Sequence, residues 1–118
     1  IDVAEYACQF VGNPYKWGGT SLTKGADCSG FVQSIFKKYG VSLPRTSRAQ
    51  ANAGTKIQYS QIQPGDLIFY AKGGTINHVA IYIGGGQVIH ASSPKTGIKI
   101  SNYNYRTPYK MVRVLYDV

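Results

Sequence analysis

The chain changes character near Ile57, and the order of its two halves limits the folds open to it. Before this point, apolar residues recur at helical spacing. After it, short alternating segments are separated by glycine-containing turns, a pattern typical of strands. Because helices come first and strands second, the sequence predicts an α+β domain. Its N-terminal helices should pack against a mostly antiparallel sheet of five or six strands.

Local turn chemistry predicts where these elements begin and end. A first helix over residues 2–11 stops before a Gly-Asn-Pro sequence. A second helix starts at its N-cap Asp27 and ends at Gly40, and a short third one is capped by Thr46 or Ser47. Further strands are predicted over residues 66–71, 97–101 and 111–116, and a loop over residues 72–77.

Chain length and the first residue suggest how the protein is organised. At 118 residues, the chain fits a single domain over residues 1–118, which we expect to act as a monomer. It begins with Ile1 and enters helical sequence at once, so we expect a domain excised from a longer secreted protein. No apolar run approaches the ~18 residues that a transmembrane helix needs.

The chain is strongly basic, with 13 Lys and Arg against 5 Asp and Glu and a net charge of +8. This charge predicts anionic surroundings, such as a cell wall or a membrane surface, held by an attraction that salt weakens. The cations are scattered, and zinc-finger, RNA-binding and basic-zipper signatures are absent. Nucleic acid is therefore not an expected partner.

Cys28 opens the second predicted helix, a position that favours a reactive thiol. Unpaired backbone N–H groups at a helix start stabilise an anion, which predicts a thiol pKa below its usual value of roughly 8.5. The other cysteine, Cys8, lies in an apolar stripe and is predicted to pack in the core without forming a disulfide.

Both histidines of the chain, His78 and His90, lie in one predicted β-hairpin that turns at three consecutive glycines. A turn with an odd number of residues sets both side chains on the same face. A three-residue loop that pairs Tyr82 with Gly86 sets His78 directly opposite His90. A nucleophile, a base and an orienting group are then available, with His78 as the base because it starts its strand beside a polar loop.

Two other interpretations use the same side chains. Both histidines could be ordinary sheet residues that satisfy local hydrogen bonds. Cys28, His78 and His90 could also bind zinc with a water as fourth ligand, although no short Cys-x-x-Cys pair anchors such a site. We expect neither a metal nor another cofactor.

Five short motifs follow one another along the chain. They are Tyr15-Lys16-Trp17-Gly18-Gly19, Asp27-Cys28-Ser29-Gly30-Phe31, Leu43-Pro44-Arg45-Thr46-Ser47, Pro64-Gly65-Asp66-Leu67 and His78-Val79-Ala80-Ile81-Tyr82-Ile83-Gly84. In order and spacing they resemble the NlpC family of bacterial cell-wall cysteine endopeptidases, from about Tyr6 to Val114. The resemblance implies a papain-like fold and an extracellular, wall-associated or periplasmic enzyme.

The resemblance also implies an activity. Such an enzyme hydrolyses peptidoglycan stem peptides between γ-D-glutamate and the following diamino acid, diaminopimelate or lysine, through a Cys28 thioester. Cys28 would be the nucleophile, His78 the base and His90 the third polar residue. An amidase or transacylase on the same scaffold, or a catalytically silent module that binds the wall, stays open as an alternative.

Substrate-binding roles are implied for three further residues. The Tyr15 hydroxyl would help to stabilise the tetrahedral oxyanion, while Asp27 and Ser29 would hold the free amino end of the stem peptide. Each has a structural alternative, since Tyr15 could simply pack and Asp27 could simply cap its helix. Arg45 either pairs with substrate carboxylates or ties its loop to the core. Trp17 either lines the cleft or closes its loop against the sheet.

Overall fold

A computed structural model describes residues 3–115 of the chain. The helices are α1 (Val3–Cys8), α2 (Cys28–Lys37) and α3 (Ser47–Gln50), with a 3-10 turn at Tyr59–Gln61. The strands are β1 (Thr20–Ser21), β2 (Gly25–Ala26), β3 (Thr55–Ile57), β4 (Leu67–Lys72), β5 (Thr75–Gly84), β6 (Gln87–Ser93), β7 (Gly97–Asn102) and β8 (Pro108–Arg113). Strands β3 to β8 form one antiparallel sheet in the order β3-β8-β4-β5-β6-β7. The predicted α+β fold is confirmed.

Helix α2 lies at the centre of the fold because its sequence gives it both a start signal and a buried face. The Asp27 side chain accepts a hydrogen bond from the Gly30 backbone N–H at 2.8 Å, which confirms the predicted N-cap. Its apolar residues, which include Phe31 and Ile35, are fully buried against the sheet. Gly40 follows the helix with a φ of 77°, the left-handed conformation expected at a helix stop.

The main sheet has an apolar cluster on each face. One cluster packs against α2 and takes Leu67, Phe69, Val79, Ile81, Ile89 and Ala91 from the strands. The other consists of Ile68, Tyr70, Ala80, Tyr82 and Val88. His78 and His90 occupy positions that alternate with the first set and so belong to the second face. Among residues 3–115, no helix is long and apolar enough to cross a membrane.

The boundaries of the first helix and the last described strand differ from the predictions. Helix α1 ends at Cys8 instead of residue 11, and Gly12 follows with a φ of 92°. The last strand runs over Pro108–Arg113, whereas residues 111–116 were predicted, and residue 116 lies outside the described part. Proline is compatible with that strand because it is the first residue, where a missing N–H is tolerated.

The predicted loop over residues 72–77 is wrong. The turn between β4 and β5 contains only Gly73 and Gly74, with φ values of 59° and 80°, the positive values that a tight type I′ turn requires. Strand β5 therefore begins at Thr75. His78 lies within the strand, so the prediction that it starts the strand is also wrong.

The register of the β5–β6 hairpin differs from the prediction by two residues. Tyr82 pairs with Val88 instead of Gly86, and Gly84 pairs with Gln87 after a bulge. Extended along both strands, this register sets His90 across from Ala80, diagonal to His78. The predicted direct opposition is thus wrong. A shift by an even number of residues still preserves the face, so the predicted common face of the histidines is correct.

Candidate active site

Cys28 is the first residue of α2, and its sulfur lies against the sheet. The backbone N–H of Val79, the residue after His78 on β5, donates to the sulfur. The backbone N–H groups of Ser29 and of Cys28 itself do the same from the helix start. The thiol is thus held where the dipole of α2 meets the strand that carries the first histidine.

The expected lowering of the Cys28 pKa is wrong. Burial of the thiol raises its pKa above the usual value and outweighs the three backbone N–H groups that favour the anion. The nearby Asp27 carboxylate acts in the same direction as burial. Helix-start geometry alone is therefore not enough here, because the sequence could not show how far the sulfur is removed from water.

The two histidines form a buried hydrogen-bonded pair. His78 Nε2 lies 2.7 Å from His90 Nδ1, and the ring centroids are 5.0 Å apart at an angle of 75°. His78 is 8% exposed and His90 is fully buried. The bond occupies His78 Nε2 and leaves its Nδ1 for another partner. The two rings are therefore in direct contact, and their roles as base and orienting residue stay predictions.

Burial keeps both imidazoles uncharged near neutral pH. It lowers the pKa of His78 to about 3, assisted by the charges of His90 and Arg106. It lowers the pKa of His90 to about 4, assisted by Lys99. With the raised pKa of Cys28, these values describe a resting site of neutral thiol and neutral imidazole, whereas the sequence predicted a lowered thiol pKa.

A zinc site does not fit this arrangement. The facing nitrogens of His78 and His90 share a hydrogen bond and so do not point at a common ion. Within residues 3–115, no group of three or more His, Cys, Asp or Glu side chains is placed to hold a metal ion.

A charged network lies on either side of Cys28 along the chain. Arg45 donates to Asp27 Oδ2 and to Ser29 Oγ, both at 2.9 Å. Asp27 also accepts from the backbone N–H groups of Gly18 and Gly30, at 3.0 and 2.8 Å. Burial of Asp27 opposes its ionisation, but these donors outweigh burial and hold the pKa of the carboxyl below its usual value. Arg45 thus ties its loop to the core, one of its two predicted roles.

Close backbone packing explains the glycines beside this network. A Cβ atom on Gly30 would collide with the carbonyl oxygen of Gly19, and one on Gly19 would collide with Gly25. The loop before α2 therefore passes directly against the helix start, which only glycine permits at these two positions.

Comparison with known proteins shows the family to which this chain belongs. The NlpC/P60 family model matches residues 12–115. The probable endopeptidase p60 of Listeria innocua serovar 6a is 48% identical over 96 residues, 81% of this chain and 20% of that protein. The γ-D-glutamyl-L-lysine dipeptidyl-peptidase of Bacillus subtilis is 47% identical over 102 residues, 84% of this chain and 33% of that protein. The solved NlpC/p60 domain of the peptidoglycan hydrolase SagA superimposes with a TM-score of 0.86 at 37% identity, covering 95% of this chain and 96% of that one.

This chain belongs to the NlpC/P60 family. It spans about a fifth to a third of the length of the curated relatives just named.

Two aromatic residues precede Cys28 in this NlpC/P60 domain. Tyr15 pairs with Ala26, and burial together with the nearby Cys28 raises the pKa of its phenol. Trp17 is 85% exposed, so the prediction that it closes its loop against the sheet is wrong. Its other predicted role, as a wall of the cleft, stays open.

Sequence reasoning missed three residues around the histidine pair of the NlpC/P60 domain. Ser101 Oγ lies 2.9 Å from His90 Nε2, and the Tyr105 hydroxyl lies 3.5 Å from His90 Nδ1. Arg106 donates to the Asn77 side chain at 2.8 Å and lies over the Tyr70 ring. The alternating pattern of β7 could have drawn attention to Ser101. The sequence could not, however, show that β7 pairs with the strand that carries His90.

Cys8 and Cys28, which both lie in the described part of the chain, are not joined by a disulfide. Cys8 is half-buried and packs against the main apolar cluster, as predicted.

Proposed function

We propose that this NlpC/P60 domain is a cysteine endopeptidase that hydrolyses peptidoglycan stem peptides between γ-D-glutamate and the following diamino acid. One observation carries the proposal: a thiol at a helix start lies against the strand that presents a hydrogen-bonded histidine pair. Where such a thiol reaches a neutral imidazole, the two groups supply the nucleophile and the base of acyl transfer. Relatives named as a γ-D-glutamyl-L-lysine dipeptidyl-peptidase and a peptidoglycan hydrolase support this bond and this substrate.

The proposed reaction moves one proton back and forth. His78 Nδ1 removes the thiol proton of Cys28 as the sulfur attacks the γ-glutamyl carbonyl carbon. The tetrahedral intermediate collapses to a thioester when His78 returns the proton to the departing amine. Water then attacks the thioester, giving a proton to His78, and the acid leaves as Cys28 regains its proton. Backbone N–H groups at the start of α2 and the Tyr15 hydroxyl would stabilise the oxyanion.

The two histidines take different roles in this proposal. His78 is the base because Val79, its neighbour on β5, contacts the sulfur, and because the bond to His90 leaves Nδ1 free. His90 is the orienting residue, fully buried behind it.

We infer that Asp27 and Ser29 receive the free amino end of the stem peptide. Their side chains lie immediately before and after Cys28, and they already form one polar cluster with Arg45. An ammonium group adds positive charge beside the ionised Asp27 carboxylate. Acetylation of the amino end should therefore raise KM while changing kcat little.

We also infer that the enzyme acts outside the cell as a monomer on an anionic wall. Two adjoining hollows of about 310 and 460 Å³ share Arg48 and Tyr109, and Lys56 and Lys110 extend the second. Asp27 and Asp66, by contrast, are both held in ion pairs.

A charge-matched comparison tests this surface. Replacement of Arg48, Lys56 and Lys110 by Gln should weaken salt-dependent binding to isolated walls more than replacement of Lys24, Lys37 and Lys95 by Gln. Equal losses would assign the attraction to net charge alone, and sedimentation would report the oligomeric state.

Mass spectrometry of defined stem peptides tests the activity directly. Wild type and Cys8→Ala should both release the diamino-acid fragment, and Cys28→Ala should release none. A product cut elsewhere would favour an amidase or transacylase. No product, with wall binding unchanged after alkylation of Cys28, would favour a silent binding module.

A further inference from the structure

A third polar side chain continues the line of hydrogen bonds through the two histidines. His90 Nε2 lies 2.9 Å from Ser101 Oγ, and His90 Nδ1 lies 2.7 Å from His78 Nε2. Ser101 is two residues from Lys99, the partner of His90 across β6 and β7. Side chains two residues apart on a strand share a face, which directs the hydroxyl towards the ring. Both nitrogens of a fully buried imidazole are therefore engaged.

Two neutral rings joined by one hydrogen bond can hold their protons in two ways. In the first, His78 Nε2–H donates to His90 Nδ1, and His90 carries its own proton on Nε2, directed at Ser101. In the second, His90 Nδ1–H donates to His78 Nε2, and His78 carries its proton on Nδ1. Only the first arrangement leaves His78 Nδ1 able to accept a proton from Cys28.

We propose that Ser101 is a positioning residue, which accepts from His90 Nε2–H and so keeps His78 Nδ1 free to act as a base. The inference rests on the proposed function. When His78 takes the thiol proton, its Nε2–H needs an acceptor, and only a His90 protonated on Nε2 provides one. Without Ser101, the Nε2–H of His90 would be buried with no partner, which is costly.

Of the described groups that face the two histidines, Ser101 is the one placed to accept a hydrogen bond from His90 Nε2–H. The charged side chains acting on the two rings are Arg106, near His78, and Lys99, near His90, and both are cations. The Tyr105 hydroxyl lies 3.5 Å from His90 Nδ1, too far for a strong bond and on the nitrogen already bonded to His78. His90 therefore takes the place of the carboxylate in a Ser-His-Asp triad, and the Ser101 hydroxyl supports His90 from its far side.

Substitutions at Ser101 separate positioning from simple packing. Ser101→Ala removes the acceptor, and we expect kcat on a defined stem peptide to fall about tenfold with KM nearly unchanged. Ser101→Thr keeps the hydroxyl and should restore kcat to within about twofold. Ser101→Asp supplies a charged acceptor, which should raise the pKa of the pair and move the acid limb of the kcat/KM profile upward by about one pH unit. The exposed Ser42→Ala serves as the matched control.

Nitrogen NMR of the histidine rings reports the proton positions without any substrate. In the wild type we expect His90 to be protonated on Nε2 and bare on Nδ1, and in Ser101→Ala we expect a mixture of the two arrangements. A wild-type proton on His90 Nδ1, or an unchanged kcat and pH profile in Ser101→Ala, would overturn the proposal. If the wild type cleaves no stem peptide, the proposed function fails, while the spectra still decide the role of Ser101.

Discussion

The two sides of Cys28 are held by different kinds of interaction. On the helix side, Asp27 and Arg45 form an ion pair at 2.9 Å that fixes the cap of α2 and the preceding loop. On the sheet side, His78, His90 and Ser101 form a line of uncharged hydrogen bonds. The ion pair on the helix side fixes the backbone around Cys28. The hydrogen bonds on the sheet side join neutral groups that can exchange protons.

Exposure to solvent explains this division. The Arg45 side chain keeps 36% of its surface in water, so its charge is only partly desolvated. The histidines are almost wholly buried, and a charge there is strongly disfavoured. In the proposed mechanism, a proton that arrives from Cys28 would therefore create a short-lived cation on His78, which the His90 lone pair would stabilise.

The largest expected effect comes from breaking the neutral side. His78→Ala should lower kcat/KM by about a thousandfold or more, because the base is lost. His90→Gln should cost about tenfold to a hundredfold, because an orienting partner is lost. Steady-state kinetics on a stem peptide would measure both, with circular dichroism to check the fold. A mild loss in His78→Ala and a complete loss in His90→Gln would reverse the two roles.

The next effect is a loss of stability in acid, which we expect from the buried histidines of the neutral side. In the folded protein the pKa of His78 is about 3 and that of His90 about 4, both below the unfolded value of 6.5. The unfolded chain therefore binds more protons than the folded one as the pH falls below 6.5. Stability is then complete above that pH and is lost progressively towards pH 3. Between pH 7 and 5, where carboxylates stay ionised, we expect the free energy of unfolding to drop by about 2 to 4 kcal/mol.

Urea denaturation at pH 7, 6 and 5 would measure this loss. The double variant His78→Gln, His90→Gln should show a much flatter dependence in the same window. An equally steep slope in that variant would place the acid sensitivity elsewhere in the molecule.

A smaller effect concerns the thiol between the two sides. Because burial raises the Cys28 pKa, alkylation by iodoacetamide should accelerate by about tenfold per pH unit from pH 7 to 9. Measurement in Cys8→Ala isolates the rate of Cys28. A rate that is already level between pH 6 and 8 would indicate a preformed thiolate and imidazolium instead.

The smallest effect comes from breaking the charged side. Arg45→Met leaves the Asp27 carboxylate buried without its cation and should lower the free energy of unfolding by about 2 kcal/mol, and activity with it. Arg113→Met breaks a second ion pair, in which Arg113 lies 2.8 Å from Asp66, and provides the control. It should cost similar stability without lowering kcat, and a matched loss of kcat would mean that Arg45 has no special link to the site.

Local chemistry predicted much of the fold and of the site. The Asp27 cap, the apolar face of α2 and the shared face of the histidines depend on short stretches of sequence, and all three are present. The hairpin register was wrong because a bulge near Ile83 moves the pairing, and nothing in the run of glycines specifies it.

Properties set by distant parts of the chain could not be predicted. The pKa of Cys28 depends on how deeply the sheet covers the sulfur, and the role of Arg45 depends on a contact 18 residues away in sequence. Ser101 reaches His90 only because β7 pairs with β6, which required the topology.

The placement of β8 has a consequence for how the protein is made. Among the strands of residues 3–115 this one comes last in sequence, yet it is inserted between β3 and β4, and Arg113 at its end is joined to Asp66. While Pro108–Arg113 is still inside the ribosome, no strand fills that gap, and the edge of β4 stays open to aggregation. The sheet can therefore close only after almost the entire described segment has emerged.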